Sequence, residues 1–211
     1  MIPVQVKAVQ YIPNASPELC SGLGVPHGNP ALALLTTDSD DATYIALDEA
    51  TKAAEVTVGY ARSFYAGAAN ASTPNAGEVI GILSAATPGA VRSGMEATLA
   101  ALKRIGFEET RGVPYLAHTV SSCGSFLAAE AGVAVGSALA YLIAPPLESM
   151  VGLDAALKAS DVRLCKLYAP PSETNFGGGL LTGTQSACAA ACDAFAEAVG
   201  TIAQQPIERS N

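Results

Sequence analysis

The stretch "TTDSDDATY" places three carboxylates within four residues: Asp38, Asp40 and Asp41. A fourth, Glu78, opens the apolar run "EVIGIL" directly after Gly77. Each belongs to a boundary between a buried strand and a loop or helix. Asp41 is expected to cap the following helix, because a short acidic side chain can accept from the free amides of a first turn. Asp38 reads as a solvated turn residue. Asp40 has no evident local duty, and Glu78 sits at the edge of its strand. Asp40 and Glu78 can therefore converge at one mouth of a sheet, where paired carboxylates suit a small cation.

Covalent catalysis finds no such support. There are two histidines, His27 and His118, and His118 stands inside the strand-like "YLAHTV". No GxSxG, no phosphate loop of the GxxxxGK[ST] type and no GxGxxG after a strand occurs. "GGG" at 177–179 precedes a strand rather than opening a helix, so it lacks the amide array of a phosphate site and reads as a flexible hinge. Cys188 and Cys192 are spaced i, i+4 on one helix face, and with no His or second Cys pair nearby they read as small core side chains. No catalytic residue, metal site or cofactor is assigned.

Composition narrows the partners. The chain has 211 residues, 50% hydrophobic and 14% charged, with a net charge of −8. Residues 1–110 carry six basic and eleven acidic groups, and residues 111–211 carry five and eight. Without a basic cluster, nucleic acid is not an expected partner, and an acidic surface attracts small cations instead. The start "MIPVQVKAVQ" lacks the basic and apolar regions of a signal peptide, and the apolar run 138–147 is too short to span a bilayer. With five cysteines and no metal-type pairing, the expectation is a cytoplasmic protein.

The elements that position the acids are written twice. "ALDEATKAAEVTV" at 46–58 and "GLDAALKASDVRL" at 152–164 match at Leu47/Leu153, Asp48/Asp154, Ala50/Ala156, Lys52/Lys158 and Val56/Val162. Periodicity predicts strands at 4–12, 31–37, 55–61 and 78–85, with helices at 16–24, 43–54 and 88–104. The second half predicts strands at 114–120, 138–144, 161–169 and 179–184, with helices at 124–132, 147–159 and 186–203. This is an α/β (α+β) chain in which helices should cover one face of each sheet. The boundary falls near "EETRG", giving domains 1–110 and 111–211. Each half has its longest loop before its last strand, at 62–77 and 170–179, and such loops are commonly functional.

Together "DSDDATYIALDEATKAAEV", "RSFYAGAANAS", "AGEVIGIL", "AYLIAPPLE", "LDAALKASDV", "PPSETNFGG" and "LLTGTQSACAAACDAFAEAV" resemble the EutL family of shell proteins from ethanolamine-utilisation bacterial microcompartments. The likeness runs from about Pro3 to Pro206. The resemblance implies two tandem, circularly permuted microcompartment domains, each a small, mainly antiparallel sheet with flanking helices. It implies a homotrimeric, pseudohexagonal structural tile that meets other shell proteins and is not an enzyme. Its central pore would be gated by the two loops, through Ser63, Phe64, Tyr65 and Gly67 in the first and Asn175, Phe176 and Gly177 in the second. Small acidic channels would bind ethanolamine or a similar small cationic metabolite at Asp40, Glu78, Phe107 and Thr174, with Asp41, Glu173 and Asn175 as additional lining. Lys52 and Lys158 would lie at tile edges. Two departures stand out: the segment after Phe107 is a few residues shorter than usual, and Ser122-Cys123 replaces a common Arg-Thr pair. The reading outside this family is a soluble, small-ligand-binding regulatory α/β protein, which would not tile.

Overall fold

The computed structural model describes residues 1–64, 75, 77–170, 172 and 174–207. The chain forms two compact units. The first comprises Pro3–Gly106 with Gly124–Leu127, and the second comprises Met1–Ile2, Phe107–Cys123 and the chain from Ala128 onward.

The first unit contains β1 (Val6–Ile12), α1 (Pro17–Gly22), β2 (Ala31–Thr37), α2 (Asp40–Ala53), β3 (Thr57–Ser63), β4 (Val79–Ala85) and α3 (Pro88–Leu102). Its sheet has the order β1-β2-β4-β3, with every pairing antiparallel. The central strands are apolar but for Thr36, Thr37 and Ser84, because both faces are covered. On one face Leu47 of α2 sits on Gly81, and Gly94 of α3 sits against Val56 and Leu83. On the other, Leu32 and Ile82 pack with Ala15, Val25, Cys20 and Leu23 around α1. Helices thus cover two faces here, where the alternation of long helices suggests one. The short α1 forms because Ser16 accepts from Leu19 N and Pro17 takes the first helical position. Thr87 caps α3 in the same way, accepting from Ala90 N.

The second unit contains β5 (Glu108–Thr110), β6 (Val113–Val120), the end of α4 (Ser125–Ala131), β7 (Ala138–Ala144), α5 (Pro146–Ala159), β8 (Val162–Tyr168), β9 (Gly177–Gly183) and α6 (Gln185–Gln204). Its sheet has the order β5-β6-β7-β9-β8. Strands β6, β7, β9 and β8 reproduce the order of β1, β2, β4 and β3, so the sequence repeat is a repeat of topology. The extra strand β5 makes a hairpin with β6 through Arg111 and Gly112, whose φ values of 51° and 82° define a tight turn. Alternate residues of β7, Ala138, Ala140, Leu142 and Ala144, pack with Leu153, Cys188, Ala191, Cys192 and Phe195. The two cysteines are core side chains, as expected. By length and composition α6 could cross a membrane, yet this inward stripe is packed in the unit's core.

The triple glycine is not a hinge. Gly177, Gly178 and Gly179 are buried within β9, paired to β7. A Cβ on Gly178 would meet Leu142 O at 1.9 Å, and one on Gly179 would meet Lys166 O at 2.6 Å. Glycine stands there because neighbouring backbones leave no room.

The matched aspartates of the repeat differ in duty. Asp48 is fully buried and accepts from Gly124 N at 2.6 Å and Leu127 N at 2.9 Å, while Thr51 Oγ1 accepts from Ser125 N at 3.0 Å. Burial raises its pKa, opposed by those amides and by Lys52. Asp154 has a side chain 64% exposed and pairs with Lys158. Asp48→Ala leaves buried amides unpaired and is expected to cost about 2–4 kcal/mol. Asp154→Ala should change stability by no more than about 0.5 kcal/mol. Denaturant unfolding of both variants checks this, and equal losses would contradict the assignment.

Candidate acidic site

The acidic stretch is organised by Thr37, the last residue of β2 and fully buried. Its hydroxyl lies 2.7 Å from Thr43 Oγ1 and donates to Ser39 O at 2.9 Å, and it accepts from Ser39 N at 3.1 Å. This turn makes Ser39 the N-cap of α2 and starts the helix at Asp40. Asp41 is therefore not the cap. It is the second helical residue and is buried, because the threonine pair closes the turn two residues earlier than the side-chain types suggest. Ser39 makes no side-chain cap bond, and among the described residues its Oγ is a buried oxygen without a hydrogen-bond partner.

Asp40, half-buried at the helix start, accepts from Asp41 N at 2.9 Å. The Ser63 hydroxyl also hydrogen-bonds to it. Burial nevertheless raises its pKa above the ordinary 3.8. Asp38 is a tether rather than a solvated turn residue: its Oδ1 accepts from Gln5 N at 2.7 Å, and Asp38 N donates to Gln5 O at 3.2 Å.

Glu78 reaches the same place from the other side of the first long loop. Gly77 passes so close to β2 that a Cβ would lie 1.9 Å from Thr37 O. Glu78 N then donates to Thr37 O at 2.7 Å, and Phe64 N donates to Glu78 O at 2.9 Å. The neck of the loop is thus closed by backbone bonds, with Ser63 and Glu78 on its two sides. Glu78 is raised above its ordinary 4.5 by burial first, then by Asp40 and Asp38, against the opposing Lys7. Asp40, Asp38 and Glu78 therefore share one negative field in the first unit, as the spacing predicts for Asp40 and Glu78. Lys7 was missed. Its only signal in the sequence is that it is one of six basic residues in the first half.

Phe107 and Thr174 belong to the second unit. Phe107 is half-buried and packs on Phe176, ring centroids 5.8 Å apart at 46°. Thr174 Oγ1 accepts from Phe176 N at 3.3 Å and lies 3.3 Å from Ser172 Oγ, so it shapes the turn before β9. Asn175 and Phe64 are exposed, and Gly177 is strand rather than loop. Tyr65, Gly67 and Glu173 lie outside the described residues. Lys52 pairs with Glu49, whereas Lys158, 74% exposed, meets Asp154 at 2.6 Å. Leu147 and Val151, 58% and 47% exposed, share the Asp154–Lys158 face of α5. Among the described residues no group of three or more His, Cys, Asp or Glu is arranged to hold a metal ion.

The shifts at Asp40 and Glu78 have a defined sign. Both carboxyls hold their protons more tightly in the fold than in the unfolded chain. Their contribution to stability is greatest below the unfolded values near 3.8 and 4.5, falls as pH rises through the folded values, and levels off above them. Asp40→Asn should raise the melting temperature of the free protein at pH 7.5, since the amide carries no charge to desolvate. It should also flatten the decline as pH rises above the ordinary 3.8. Calorimetric melting across that range tests it, and a lower melting temperature for the variant would contradict the account.

The BMC domain profile matches residues 31–115. The bacterial microcompartment shell protein EutL of Clostridium perfringens (strain 13 / Type A) is 56% identical over 211 residues, covering 98% of this chain and 97% of that protein. The crystal structure of ethanolamine utilization protein EutL from Leptotrichia buccalis C-1013-b is 53% identical, covers 99% of this chain and 98% of that one, and superposes with a TM-score of 0.94. A trimeric bacterial microcompartment shell protein, PduB, shares the fold at 19% identity, with a TM-score of 0.79 over 95% of this chain and 89% of its own. Likeness of this extent, along nearly the whole chain, means that the chain belongs to the EutL family of bacterial microcompartment shell proteins.

Proposed function

We propose that the chain is a structural tile of a cytoplasmic bacterial microcompartment shell of the ethanolamine-utilisation type. The observation that carries this reading is the likeness to shell proteins of that name along nearly the whole chain. Three chains would form a homotrimer with pseudo-sixfold symmetry, since each brings two copies of one strand order. The two copies would be tandem BMC domains divided near residues 110 and 111. The profile match beginning at β2 and ending in β6, the counterpart of β1, supports a permuted order within each. The exposed stripe of Leu147, Val151, Asp154 and Lys158 is suited to a lateral contact with a neighbouring tile or another shell protein. Lys52 would serve the matching edge.

The two long loops would gate a central pore. The carboxylates at the neck of the first would attract ethanolamine as its ammonium ion, or a similar small cationic metabolite. Asp40 and Glu78 supply the charge in the first unit; Phe107 and Thr174, which the family resemblance adds, belong to the second, where Thr174 offers a hydroxyl. A ligand biases such a gate only through different affinities for its two states.

Light scattering and negative-stain imaging test the tile. The parent should be a trimer that forms flat sheets, and Lys158→Asp should keep the trimer and lose the sheets. A stable micromolar monomer would contradict the reading. Titration calorimetry tests the channel. Ethanolamine hydrochloride should bind the parent with about −4 to −6 kcal/mol. Asp40→Asn and Glu78→Gln should each lose about 1.5–3 kcal/mol, and equal binding by all three proteins would remove the assignment.

A further inference from the structure

Lys7 is brought to the acidic site by an irregularity of β1. Val6 pairs with Thr37 and Ala8 with Thr36, so Lys7 is the extra residue of a β-bulge. Bulges bend a strand and re-aim a side chain. Here Lys7 Nζ lies 3.8 Å from Asp38 Oδ2 and donates to Gln5 Oε1 at 2.9 Å. Neither partner is deeply buried: the Lys7 and Asp38 side chains are 27% and 32% exposed. Gln5 holds both ends, since its amide donates to Asp38 Oδ1. The ammonium meets Asp38 directly and lowers the pKa of Glu78, whose other charged neighbour is Asp40, itself bonded to the Asp41 amide and Ser63. The chain has placed an ammonium of its own beside the carboxylates.

We propose that Lys7 is an internal competitor that sets the affinity of the acidic site: its tethered ammonium offsets part of the field of Asp38 and Glu78, and so weakens the hold on a small external ammonium ion. This rests on the reading of Asp40 and Glu78 as the ammonium site. A site that must release its cargo gains from such an offset, because a lone ammonium among three carboxylates would be held longer. Lys7 touches no ligand in this scheme. It acts through the charge of the groups that do.

The test uses the full-length protein, with Lys7→Met and Lys7→Gln removing the charge and Lys7→Arg keeping it. The first readout is the titration of the Glu78 carboxyl by carbon-13 NMR, which needs no ligand. Its midpoint should move up in Lys7→Met and Lys7→Gln and stay near the parent in Lys7→Arg. The second is calorimetry with ethanolamine hydrochloride at pH 8 and low salt. Both neutral variants should bind about three- to tenfold tighter than the parent, a gain that fades as salt screens it. An unmoved Glu78 midpoint, or unchanged affinity in a protein that does bind, overturns the role of Lys7. A moved midpoint with no binding by any of the proteins overturns the ammonium-site reading, and the tuning with it.

Discussion

The buried backbone and hydroxyl of Thr37 are the point on which the acidic site depends. The hydroxyl closes the turn that starts α2 at Asp40. The carbonyl takes the Glu78 amide as the chain returns from the first long loop. The same residue pairs with Val6 across the bulge that sends Lys7 toward Asp38. One strand end therefore orients three chain segments that are remote in sequence. Leaving a buried polar group of Thr37 unpaired would be costly, so these bonds hold the geometry of the charges around them. Gly77 completes the arrangement by letting the returning chain lie on Thr37 O.

The charges so placed oppose the fold that holds them. Burial raises Asp40, and Glu78, an exposed residue whose carboxyl is only partly screened from water, is raised by that and by its acidic neighbours. Nothing in the packing of β2 or β4 requires a carboxylate at either place. Asp48 is the contrast within the same unit. It too is buried and raised, but it is filled by two backbone amides, so its charge is consumed by the fold.

Much of the fold was legible in the sequence because the central strands are largely apolar runs and α1, α3 and α6 carry their own caps. The strands at 31–37 and 138–144 have the bounds that periodicity gives, and Ser16 and Thr87 cap as their types suggest. Asp40 and Glu78 could be brought together from their positions alone. What failed was set by contacts distant in sequence. Asp41 looks like a cap until Thr37 and Thr43 bind Ser39 between them. "GGG" looks flexible until Leu142 O and Lys166 O are found where its Cβ atoms would be. Lys7 sits in an alternating strand and gives no sign of the bulge, which exists only in the pairing with β2. Strand β5, with three residues, is shorter than any window in which a period can be read.

The unequal fates of Asp48 and Asp154 reach beyond stability. A chain whose two halves were chemically alike would give a ring of three a true hexagonal outline, and a neighbour could approach any side with the same result. With one aspartate sealed in backbone bonds and the other out in solvent beside Lys158, the two halves present different chemistry at matching positions. In the trimer proposed above, the two halves would then offer sides of two kinds, and packing such pieces would be a matter of matching as well as of shape.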